Sequence, residues 1–170
     1  MPKIPFFLSA PRLKALFALA LAVALVASAS AAVTPSPFRN FLGHWTGKGQ
    51  IVGSDGHQES IRCRAEYSDA KDGAALNQTI VCASESFKLD ITTYAEASGE
   101  QVQGNWREAA RDVSGSLTGR IAENRFEGQI SSITFSAAIS LTSNGRTQAV
   151  SIRPSSGDVA DVRIELQRQG

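Results

Sequence analysis

Apolar and polar residues change places one by one along most of this chain. Ile61, Cys63, Ala65 and Tyr67 alternate with Arg62, Arg64 and Glu66. Phe87, Leu89 and Ile91 alternate with Lys88, Asp90 and Thr92, and Val162, Ile164 and Leu166 with Asp161, Arg163 and Glu165. A period of two sends one set to each face of a strand, so one face is buried and the other is wet. Turn-forming residues punctuate these runs at regular intervals, and no helical periodicity competes with them. The pattern predicts an all-β domain of about 8–10 short strands.

Hairpin register tests that reading. Directly opposed residues in a hairpin have numbers of constant sum, and a sound register sets apolar residues against apolar ones. A turn centred on Asp72-Gly73 opposes Cys63 with Cys82. One on Glu123-Asn124 opposes Ile121 with Phe126, Gly119 with Gly128 and Leu117 with Ile130. One on Ser98-Gly99 opposes Ala95 with Val102, Thr93 with Gly104 and Ile91 with Trp106. Asn144-Gly145 opposes Ile139 with Val150 and Ala137 with Ile152, and Ser131-Ser132 opposes Ile130 with Ile133. These registers share a single buried face, so consecutive strands form a meander. A meander this long is expected to close into an up-and-down antiparallel β-barrel, because closure alone removes both edges.

The first 32 residues break the pattern. Lys3, Arg12 and Lys14 precede an unbroken apolar run, Ala15 to Val26, and small residues then fill positions 27–32. That order reads as a signal helix too short to anchor in a bilayer, so residues 1–32 are expected to be a cleavable signal peptide and 33–170 a single barrel domain. The signal carries three of the 17 basic residues and none of the 16 acidic ones, which leaves the mature domain at −2. Such a balance gives no electrostatic footprint for nucleic acid or anionic lipid. The charged outward phase could not face lipid, so a periplasmic or secreted protein, not inserted in the membrane, is expected. In that oxidising setting Cys63 and Cys82, opposed at about 5.5 Å in the wider class of pair, are expected to form a disulfide. Just after the signal, Phe38, Phe41 and Leu42 could make one helical turn that plugs something apolar.

Phe41-Leu42-Gly43-His44-Trp45-Thr46-Gly47-Lys48-Gly49 resembles the G-x-W opening of lipocalins and other calycins, and more closely the G-x-W-x-G-x-G opening of nitrobindin-type and fatty-acid-binding-like ten-stranded barrels. The resemblance implies that Gly43, Trp45, Gly47 and Gly49 form a structural motif. Trp45 would close one end of the barrel against a basic side chain of the last strand, Arg163 or Arg168. Gly47 and Gly49 would let the first strand bend there without obstruction. Nitrobindin-like barrels hold haem through a histidine near the C-terminal strands, whereas here the only histidines are His44 and His57, so no cofactor is expected.

Interior positions carry what the sequence says about binding. The inward phase runs through residues such as Leu76, Ile80, Val102, Leu117, Phe126, Ile133 and Phe135, with Gly104, Gly115, Gly119 and Gly128 interspersed, which makes a central cavity plausible. Tyr67, Gln78 and Glu108 fall on the same phase, and with Trp106 they are the candidate ligand-binding residues. No histidine is placed to activate a serine, no nucleophile elbow or phosphate loop occurs, and two cysteines with two distant histidines do not make a metal site. The expectation is a non-enzymatic exported barrel whose partner is a small apolar or amphipathic molecule. The alternative is a protein-interaction module, such as an inhibitor or envelope-assembly factor, with a packed barrel and no ligand.

Overall fold

Alternation of this kind builds strands from Gly43 to Arg168. A computed structural model describes residues 35–170; the expected signal peptide and its cleavage region lie outside the described residues. The strands are β1 (Gly43–Gly53), β2 (Gln58–Ala70), β3 (Ala75–Ala83), β4 (Lys88–Ser98), β5 (Gln101–Glu108), β6 (Val113–Ala122), β7 (Arg125–Ser131), β8 (Ser136–Ser143), β9 (Thr147–Pro154) and β10 (Val159–Arg168). Each pairs antiparallel with its sequence neighbours, and β1 closes the ring against β10. The fold is therefore a closed ten-stranded up-and-down barrel. Loops 54–57, 84–87, 109–112, 132–135 and 155–158 gather at one end, and the remaining hairpin turns lie at the other with residues 35–42.

Two registers stand as the pattern predicts. Cys63 lies opposite Cys82, and Ile121, Gly119 and Leu117 lie opposite Phe126, Gly128 and Ile130. Two others are shifted by two residues. Between β4 and β5, Ser98 opposes Gln101, so Ala95 meets Gly104, Thr93 meets Trp106 and Ile91 meets Glu108. The turn is Gly99-Glu100, with Gly99 at φ +60°, because a primed turn that needs one positive φ takes its glycine at the first central position. Between β8 and β9, Ile139 meets Ile152 and Leu141 meets Val150. Here Asn144 is not a central turn residue. Its side-chain Oδ1 accepts the backbone N–H groups of Arg146 and Thr147 at 2.9 and 2.8 Å, which spreads the turn over four residues. A slip of two keeps every side chain on its face, so the inward phase survives both corrections.

The β7–β8 connection differs more. Ser131 pairs with Ser136 and Ile130 with Ala137, so Ile133 does not oppose Ile130 but stands fully exposed at the tip of a four-residue loop. The loop is closed by Ser132 N–H donating to Phe135 O. Ser131-Ser132 lies at the first end of this loop and is not its turn.

Inside, the core runs from Phe38 and Phe41 through Trp45, Ile61, Ile80, Leu117, Ile121 and Ile164 to Leu166. Cys63 and Cys82 are joined across β2 and β3, with Cα atoms 4.1 Å apart. That spacing belongs to the closer, non-hydrogen-bonded class of opposed pair, not to the wider class expected from the turn.

Candidate functional site

One end of the barrel is sealed. Residues 37–41 form a turn rather than a helix, held by N–H bonds from Arg39 to Ser36 O and from Phe41 to Phe38 O, and it drops Phe38 and Phe41 into the core. Three interior donors fasten its backbone. Trp45 Nε1 and Gln148 Nε2 donate to Phe41 O at 2.8 and 3.2 Å, and Ser143 Oγ donates to Asn40 O at 2.5 Å. Gln148 and Ser143 are fully buried, and both continue the inward phase of β9 and β8. Sequence reasoning passed over them because they are polar, although their phase marked them. Arg168, not Arg163, covers the tryptophan: its guanidinium carbon lies 4.7 Å from the Trp45 ring centroid, while Arg163 points outward to Asp161 at 2.8 Å. Gly47 and Gly49 are needed here because a Cβ on either would run into the β10 backbone, at 1.9 Å from Glu165 O and 2.5 Å from Arg163 O. Gly43 has φ +109°, which only glycine adopts without strain.

Above this floor lies a cavity of about 500 Å³, within the range of small-molecule sites. Its wall is overwhelmingly apolar, from Phe38 and Phe41 at the floor through Ile80, Leu117 and Val150 to Phe87 and Val159. The lining continues to exposed Thr134 and Ser156–Asp158, so the cavity opens at the end opposite Trp45. Inward residues such as Leu89, Ile91, Ile130 and Ile139 remain half-buried because they face this space.

The structure brings three of the four candidate residues into a single row. Tyr67 opposes Gln78, Gln78 opposes Thr93, and Thr93 opposes Trp106, so one polar rung crosses β2 to β5 on the inner face. Thr93 was not anticipated; the mistaken β4–β5 register had placed it against Gly104. Tyr67 is buried, and its hydroxyl accepts from Gln78 Nε2 at 3.4 Å. Burial pushes its pKa upward, and the hydrogen bond from Gln78 offsets only part of that, so the phenol keeps its proton. Trp106 donates its Nε1–H to Ser116 O at 3.2 Å and meets Phe135 edge to face at 6.0 Å. It therefore offers the cavity an apolar ring.

Glu108 stands apart from the rung, at the mouth end of β5. Although it lines the cavity, its carboxylate is occupied by β4 and the β5–β6 turn: it accepts from Asp90 N (3.1 Å), Ala110 N (3.1 Å) and Arg111 N (2.7 Å). Burial raises its pKa, but these three N–H groups and the Arg111 charge outweigh that, so the carboxyl is held below its ordinary value. Arg111 in turn lies 3.5 Å from Glu108 and 4.8 Å over the Phe87 ring. Across the mouth, Glu59 accepts from the hydroxyls of Ser84 and Ser86 and so ties down the loop that carries Phe87.

Three of the four inward glycines are covered by rings and do not open the cavity. The Phe126 ring lies over Gly119 and Gly128, and the Trp106 ring over Gly115; a Cβ would stand 2.7 Å from Phe126 Cε2, 2.8 Å from Phe126 Cζ and 2.9 Å from Trp106 Cζ2 respectively. The space comes instead from the girth of ten strands. His44 is exposed on the outer face beside Glu66, and His57 is exposed on the β1–β2 loop. Among the described residues no cluster of metal-ligating side chains occurs.

No family model and no curated protein matches the chain. Solved structures do. Rv2717c from M. tuberculosis superposes with a TM-score of 0.60 at 12% identity, over 77% of this chain and 94% of that one. The S-type phycobiliprotein lyase CPES from Guillardia theta superposes with a TM-score of 0.53 at 10% identity, over 78% of this chain and 90% of that one. These likenesses agree with the architecture, a closed ten-stranded antiparallel barrel.

Proposed function

We propose that the protein binds a small apolar or amphipathic molecule inside its barrel, as a carrier or sensor and not as an enzyme. The observation that carries this reading is the apolar cavity of about 500 Å³, sealed at the Trp45 end and open at the other. The competing interaction module presupposes a packed interior, which a cavity of that size disfavours. The sealing of Trp45 by Arg168 also favours kinship with the nitrobindin-type and fatty-acid-binding-like barrels. A non-catalytic role is supported by the placement of His44 and His57 outside the cavity and by the saturation of Glu108 with backbone donors.

Export is supported by the Cys63–Cys82 disulfide, which an oxidising compartment sustains. Arg62, Arg64 and Glu66 stand exposed on the outer face of β2, which is consistent with a barrel surrounded by water rather than lipid. Native mass spectrometry and lipid extraction of the protein from its source organism test the reading. A co-purifying small molecule of matching size is expected. Ligand-free protein that also fails to take up the neutral dye N-phenyl-naphthylamine would overturn it.

A further inference from the structure

The distribution of charge within the cavity narrows the ligand. Among the described residues, its charged lining groups are Glu108, Arg111 and Asp158, all at the mouth. Glu108 is taken up by backbone donors, and Arg111 by Glu108, by Lys88 O at 3.2 Å and by the Phe87 ring. Deeper in, the polar groups are the neutral ones of the Tyr67–Gln78–Thr93 rung. Tyr67 accepts from Gln78 there, but its own hydroxyl hydrogen has no acceptor among the described residues. A buried donor without a partner is costly to leave dry.

Three head groups can be weighed against that wall. A carboxylate brought to the rung would lose its hydration and meet no counter-charge. A plain hydrocarbon would put no acceptor beside the phenol hydrogen. A carbonyl oxygen accepts the hydrogen and carries no charge to desolvate. We propose that the cavity takes an uncharged amphipathic molecule head first, its ketone- or ester-type carbonyl accepting the Tyr67 hydroxyl hydrogen and its apolar remainder extending toward the mouth. This rests on the binding role proposed above and specifies the ligand class and its orientation.

The experiment is displacement of N-phenyl-naphthylamine from the oxidised protein by undecyl methyl ketone, tridecane and tridecanoate, at a pH where the carboxylate is ionised. One hydrogen bond gained predicts that the ketone displaces the dye about 3- to 10-fold more tightly than the alkane, with the carboxylate weaker than the ketone. Tyr67→Phe should abolish the difference between ketone and alkane, the alkane gaining because no donor is left unpaired when it binds. The comparison in the unaltered protein stands even if that variant folds poorly. Equal binding of ketone and alkane, preference for the carboxylate, or a Tyr67→Phe loss shared by all three compounds would overturn the head-group assignment while leaving the binding role intact. Failure of the dye itself to bind would overturn both.

Discussion

The guanidinium of Arg168, on the last strand, lies 4.7 Å over the ring of Trp45, on the first, so the contact that seals the floor also joins the two strands that close the barrel. The Arg168 Nε–H donates to Gly145 O, which ties the β8–β9 turn into the same contact. Arg168→Ala is expected to lower stability by about 1 kcal/mol, the scale of a partly exposed cation–π contact. Trp45→Ala should cost about 3–5 kcal/mol, because it empties a buried site and leaves the Phe41 carbonyl with Gln148 alone. Urea unfolding of the two variants beside the parent checks the order.

The disulfide staples neighbouring strands near the middle of β2. It spans 19 residues in sequence, so reduction, or the Cys63→Ala/Cys82→Ala pair, should remove about 3 kcal/mol. Denaturant midpoints with and without reductant measure the loss. Two readily alkylated thiols in protein recovered without reductant would contradict the bond.

Much of this barrel is legible in the alternation, because a period of two states which face each residue takes regardless of exact pairing. For that reason the inward phase survived two register errors. Registers themselves depend on turn chemistry. Gly99 serves at the first central position of its turn and Asn144 bonds the backbone through its side chain, and neither use is visible in a turn dipeptide. The same limit hid Thr93 from the Tyr67–Gln78–Trp106 row and sent Ile133 inward. Gln148 and Ser143 carried the right phase, but their role depends on carbonyls of a plug more than a hundred residues earlier. Glu108 was correctly placed on the inner phase; its engagement by the turn depends on local backbone geometry that spacing does not encode.

Close packing of rings on glycines gives a sharp steric prediction. A Cβ at Gly115 would stand 1.8 Å from Ser131 O, and one at Gly128 would stand 2.2 Å from Thr118 O, so backbone must move in either case. Gly115→Ala and Gly128→Ala should each destabilise by about 1–3 kcal/mol, whereas Gly56→Asn, on an open turn with φ +85°, should cost less. Thermal melts of the three variants make the comparison.

Acid should weaken the mouth before the floor. Glu108 and Glu59 are both held below the ordinary value of 4.5, Glu108 by N–H donors and Arg111 that overcome its burial, and Glu59 by the Ser84 and Ser86 hydroxyls. A carboxyl whose folded pKa is depressed binds protons more weakly when folded. Its contribution is therefore complete above the unfolded value of 4.5 and is lost as pH falls through the lowered folded value. The melting temperature should hold steady through neutral pH and drop below about pH 4.5 as both carboxylates take up protons. Glu108→Ala should cost about 1–2 kcal/mol at neutral pH, since it removes the acceptor of three part-buried N–H groups, and should flatten the acid limb. Glu59→Gln should flatten it less, because that site is exposed to water. Hydrogen exchange would locate the change: loops 84–87 and 109–112 should lose protection in acid while the Trp45 end keeps it. Uniform loss around the barrel would instead place the acid-sensitive groups outside the mouth.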